Sequence, residues 1–167
     1  MATQNLLQRL DQASETTGSS VDASNRRIEE VFIASEAITA GDFVCLDLSK
    51  SADSDKILFV KKLNSGAAGT SLGVGGAIAT AAEDANVRVC IRGMISANVA
   101  TGVAQGDRLV SSSTAGRAEV APSYRSDQKE GSGGAGAGAV TQQRSIIAFA
   151  VAAESGNAAT VYVYSQF

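Results

Sequence analysis

The chain has 167 residues, 44% hydrophobic but only 5% aromatic and without tryptophan, and carries a formal charge of −3 with a pI near 4.9. That length suits one domain with an appended arm, and the alanine-rich, aromatic-poor composition predicts a thin core that gains from a partner surface. The 14 basic residues are scattered along an acidic chain, which argues against nucleic-acid binding, and no apolar run approaches the ~20 residues needed to cross a bilayer.

Residues 1–30 differ from the rest. Leu6, Leu7, Leu10 and Ala13 fall on one helical face, with Gln4, Gln8, Arg9 and Gln12 elsewhere, so a short amphipathic helix is predicted. It either packs on its own domain, frays, or docks as an arm on a neighbouring subunit; in the last case Leu6, Leu7 and Leu10 are the partner-binding residues. The polar residues of this segment break any signal-peptide core, so a cytoplasmic origin is expected. Ser14 to Asn25 reads as linker.

A β domain over 31–167 follows, its first strand opening at Ile28 to Ala34. Gly41-Asp42 supplies a turn, glycine through a positive φ and aspartate by binding nearby amides. Val44, Leu46 and Leu48 are then expected on one strand face. Ser49 to Asp55 reads as a turn, and Lys56 to Leu63 as the return strand of a hairpin. Gly66 to Gly76 lacks the Gly-Lys-Ser/Thr ending of a phosphate loop and reads as a tight turn between close backbones.

Ala85 to Ala97 is the organising stretch. Val87, Val89 and Ile91 alternate with Arg88, Cys90 and Arg92, the period of a strand with one face in a core, and Gly93 predicts a bulge or bend. A second Gly-Asp pair, Gly106-Asp107, opens a second hairpin that returns over Arg117 to Ala121. Ile147, Phe149 and Val151 alternate with Ile146, Ala148 and Ala150, predicting a strand covered on both faces. Thr160 to Tyr164 echoes the first alternating strand. The order hairpin, Ala-rich turn, alternating strand thus occurs twice, pointing to a loose internal duplication. Between the second hairpin and Ser145, residues 126–143 form a Gly-rich loop expected to be mobile.

Chemistry is sparse. The chain contains no histidine, which removes Ser-His-Asp and Cys-His nucleophile schemes and the commonest zinc ligand. Asp47, Asp53 and Asp55 lack the glycine and terminal glutamate of a calcium loop. Cys45 and Cys90 read as two small buried hydrophobes, a disulfide being the alternative. No catalytic, cofactor or metal site is expected, and no enzyme.

An ordered set of segments carries a resemblance: Ala40-Gly-Asp-Phe-Val-Cys-Leu46, Leu72-Gly-Val-Gly-Gly-Ala-Ile-Ala79, Val87-Arg-Val-Cys-Ile-Arg-Gly93, Gln105-Gly-Asp-Arg-Leu-Val110, Ile147-Ala-Phe-Ala-Val-Ala-Ala153 and Val161-Tyr-Val-Tyr164. Together, over Ile38 to Tyr164, they resemble the capsid cement (head decoration) proteins of tailed bacteriophages. The resemblance implies an all-β fold, a small β-barrel or β-tulip, here with an N-terminal extension carrying a short helix. It further implies a homotrimer on the capsid exterior bound to the major capsid protein, with no nucleic-acid or membrane partner. The N-terminal segment and the Gly-rich insertion lie outside the family pattern. A tail or fibre subunit and a non-viral ligand-binding β-barrel are the rival readings.

Overall fold

The computed structural model describes residues 27–65, 73–121 and 146–164. These form strands β1 (Ile28–Ala34), β2 (Phe43–Leu46), β3 (Phe59–Lys62), β4 (Gly73–Ala77), β5 (Asn86–Asn98), β6 (Arg108–Ser111), β7 (Ala118–Val120), β8 (Ala148–Ala150) and β9 (Ala158–Tyr164), with one short helix, α1 (Asp53–Leu58). The fold is all-β. The pairing order is β1-β3-β2-β4-β5-β9-β8-β6-β7, and β1 also pairs with β5, so β1, β3, β2, β4 and β5 close into a five-stranded barrel.

β5 organises the molecule. Its first half pairs with β1, from Asn86 opposite Ile33 to Cys90 opposite Glu29. Its second half pairs with β9, from Arg92 opposite Tyr164 to Asn98 opposite Ala158. Between the halves the register with β1 slips by one residue, leaving Ile91 as the extra residue, and Gly93 takes a φ of +129°. One inserted residue exchanges the two faces of a strand. Val87 and Val89 therefore join the core of the first barrel, whereas Ile95 and Ala97, of the same parity but beyond the bulge, join a second core. The expected bend is present, and Gly93 is required there because Arg27 Cα would lie 2.8 Å from an added Cβ.

The pairing order reads alike from its two ends: β3-β2-β4-β5 and β7-β6-β8-β9. The parallel β1–β3 pairing has its counterpart too, because Val99, just beyond β5, bridges Ala118 of β7 in parallel. The second half of β5 thus plays for β7, β6, β8 and β9 the part that β1 plays in the first barrel. Hydrogen bonds repeat with it. Thr39 N donates to Asp42 Oδ2 at 2.9 Å and Ala104 N to Asp107 Oδ2 at 2.8 Å. Leu63 N donates to Phe43 O at 2.8 Å and Ala121 N to Arg108 O at 2.7 Å. The described residues form two small barrels of one plan that share a strand.

Each barrel interior is filled by its own side chains. Phe32, Ile38, Val44 and Val60 occupy the first; Ala97, Val103, Leu109 and Ala118 stand at the matching positions of the second. The second core also takes in Phe43, Cys45, Leu63 and Cys90 from the outer wall of the first barrel.

Several local expectations are corrected. Leu48 lies beyond β2 and is half exposed, because the strand ends at Leu46. Residues 53–58 form α1 rather than turn and strand: Asp53 and Asp55 suit the positive end of a helix, and Lys56 closes on Asp53 at 2.7 Å. β3 starts only at Phe59. Gly73 to Gly76 belongs to β4 and is extended, not a tight turn. β8 is three residues long and covered on one face alone, with Phe149 exposed between buried Ala148 and Ala150. The helix predicted around Leu6, Leu7 and Leu10 and the loop at 126–143 lie outside the described residues.

Candidate interaction surface

Across the outer wall of the first barrel, register aligns Phe43, Gly76, Cys90 and Glu29 in one row over β2, β4, β5 and β1. The matching row of the second barrel, over β6, β8, β9 and β5, is Arg108, Phe149, Tyr162 and Met94. The two rows occupy equivalent positions and meet different fates. Phe43, Gly76 and Cys90 are buried against the second barrel, whereas Phe149 is 39% exposed.

Further exposed apolar side chains surround Phe149. Tyr164, opposite Arg92 on β5, is 46% exposed, and Val151, just after β8, is 37% exposed. Arg92 braces the aromatics. Its Nε reaches the Tyr162 hydroxyl at 3.5 Å, and its guanidinium carbon lies 5.9 Å from the Tyr164 ring centre. The face therefore presents aromatic and thioether surface between two cations, Arg92 and Arg108. Surfaces of that composition mark binding patches, because rigid aromatics contribute contact area at little cost in side-chain entropy.

Further apolar side chains are exposed on the first barrel. Val31 of β1 is 62% exposed and Ile57 of α1 is 63% exposed, with Leu48 and Leu58 also about half open to solvent. Ile33 stands opposite Phe59 between β1 and β3, and Lys50 Nζ caps the Phe59 ring at 4.1 Å.

Among the described residues no three histidine, cysteine or carboxylate side chains cluster as metal ligands. Cys45 and Cys90 are free and buried, and burial pushes each thiol up to about 11, so both stay protonated at neutral pH. Asp47 is held by its neighbours instead. Burial works to raise its pKa, but the Ser49 hydroxyl at 2.7 Å, the Ser49 amide and Lys61 Nζ at 3.1 Å outweigh it. The carboxyl sits well below its usual range; the Ser35 hydroxyl adds to that field without closing a hydrogen bond. This is a structural pin between β2 and β3.

The partner-binding residues expected from sequence, Leu6, Leu7 and Leu10, lie outside the described residues. The face built from Met94, Phe149, Tyr162 and Tyr164 escaped sequence reasoning. Its one signal was parity: in Thr160 to Tyr164 the valines alternate with tyrosines, and a strand with buried valines must show its tyrosines to the other side.

No family model matches the sequence, and no curated protein matches it. Among solved structures the chain is similar to the crystal structure of head fiber gp8.5 N base in bacteriophage phi29, with a TM-score of 0.51 at 11% identity, over 84% of this chain and 98% of that one. At that identity the likeness establishes a shared fold.

Proposed function

We propose that this protein is a structural component of a bacteriophage virion, carried on the outside of the head in contact with the major capsid protein and self-associated as a homotrimer. The observation that carries the reading is the fold likeness, which spans 98% of a phage head-fibre base. The ordered segments that resemble capsid cement proteins point to the same place on the virion. The exposed aromatic face and the exposed apolar side chains Val31 and Ile57 provide adhesive surface. A shell multiplies one modest contact over many equivalent positions, so neither surface needs high affinity alone. The ligand-binding reading finds less support, because side chains fill the barrel interiors.

The same likeness favours a second reading within this class. The chain is the base of a head fibre, which holds a projecting element on the shell without reinforcing it.

The test is to mix purified protein with bare heads, sediment them and image the pellets by electron microscopy. Added density repeating on the outer lattice is expected. Protein left in the supernatant at saturating concentration overturns the proposal. Heating decorated and bare heads separates the two readings, since a cement raises the temperature of head rupture and a fibre base leaves it unchanged.

A further inference from the structure

The duplicated fold contains one contact that its own repetition leaves unfinished. Inside the chain, the wall of the first barrel receives the end of the second: Ile95 Cδ1 would lie 2.2 Å from a Cβ on Gly76, and Ile147 Cγ2 2.9 Å from one on Gly73. The corresponding wall of the second barrel, Arg108-Phe149-Tyr162-Met94, receives no third barrel among the described residues. At the other extreme, the end of the first barrel enters no wall among the described residues. Register places Glu30 of β1 where Ile95 stands in the second barrel, each opposite the matching valine, Val89 or Val161. Glu30 lies on the same side of β1 as buried Phe32 and Ala34 and yet is exposed. Ile28 beside it is 50% exposed.

We propose that the aromatic wall of the second barrel receives the Glu30 end of the first barrel of another copy, so that chains join head to tail; with Phe149 at the position of Gly76, this contact is shallower than the one between the chain's own halves. Charge supports the choice of occupant. Arg92 and Arg108 flank the wall, Glu30 marks the end, and neither Arg108 nor Glu30 has an ion-pair partner among the described residues. Such a contact is heterologous, using a different surface on each partner, and closes into a ring when the rotation allows. It names the surfaces through which the self-association proposed above would run, and its test needs no virus head.

Sedimentation of the full chain over a range of concentrations reads the assembly directly. Wild type should assemble, while Tyr162→Glu and Glu30→Arg should each raise the half-assembly concentration by at least tenfold with unchanged circular dichroism. Mixing the two variants should yield heterodimers, because each keeps one intact surface, and Arg108→Glu combined with Glu30→Arg should restore assembly. If Tyr162→Glu fails to fold, Phe149→Lys on the exposed side of β8 replaces it. A monomeric wild type overturns the proposal. So does a wall-to-wall contact, which would leave Glu30→Arg assembled and give no complementation on mixing.

Discussion

Gly76 has no side chain because Ile95 occupies its place: a Cβ built on Gly76 would lie 2.2 Å from Ile95 Cδ1. Gly76 sits on the outer wall of the first barrel and Ile95 in the core of the second, so this one approach sets how closely the halves meet. Gly76→Ala should cost about 1–3 kcal/mol through overpacking, read as a lower denaturant midpoint. Ile95→Val in the same chain should recover part of the loss by withdrawing the clashing methyl. Two losses that simply add would mean the side chains do not meet.

The two Gly-Asp turns share geometry but not surroundings. In each, the aspartate carboxylate accepts the amide three residues earlier, at 2.9 Å for Asp42 and 2.8 Å for Asp107. Asp42 is 6% exposed and also accepts a 2.8 Å bond from Asn98 Nδ2, while its carboxylate fills the space beside Gly116. Asp42→Ala should therefore cost about 2–3 kcal/mol, leaving the Asn98 amide only its longer bond to Ala40 O and Lys62 without its counter-charge, and Asp107→Ala about 0.5–1 kcal/mol. Thermal melts of the two variants make the comparison; equal losses would show that the second barrel leans on its turn as heavily as the first.

How much of this could be read from sequence follows from the range of each interaction. Alternation is local, so Val87 to Ile91 and Thr160 to Tyr164 announced themselves as strands, and Gly41-Asp42 and Gly106-Asp107 as turns. That β5 serves two barrels is a fact about pairing between residues more than fifty positions apart, to which a period of two is blind. The duplication was visible only as an order of elements. Matching core positions keep apolar character and not identity, as in Phe32 against Ala97 or Ala34 against Val99. Cores constrain summed volume more tightly than any single side chain. α1 was hidden because Ser-Ala-Asp-Ser-Asp is turn-like in composition, and a helix of six residues leaves too short a pattern to register. The aromatic face was hidden by β8, whose three residues give no period at all.

Cys45 and Cys90 join the same core and remain thiols. Burial raises both to about 11, which suppresses the reactive thiolate at neutral pH. The native protein should react with a chromogenic disulfide reagent at least tenfold more slowly than the denatured chain, and both thiols should titrate once it unfolds. Its mobility on denaturing gels should be the same with and without reductant. Rapid labelling of the native protein would show that the seam between the barrels opens readily.

Asp47 gives the fold an acid limit. Burial opposes its charge, but the Ser49 bonds and Lys61 hold its pKa below the ordinary carboxylate value of about 3.9. A carboxyl whose folded pKa is depressed binds fewer protons folded than unfolded. Its stabilisation is complete above the unfolded value and disappears as the pH falls through the folded one. Stability should therefore decline below about pH 4, with Asp47 among its causes. Asp47→Asn removes the titrating group, leaving Lys61 partly buried without its counter-charge, at a cost of about 1–3 kcal/mol at pH 7. The same variant should lose less than wild type between pH 5 and pH 2, so the two stability curves converge on acidification. Curves that stay parallel across that window would assign the acid limit to other carboxylates, Glu29 first, since Arg88 and Arg27 lower its pKa against burial.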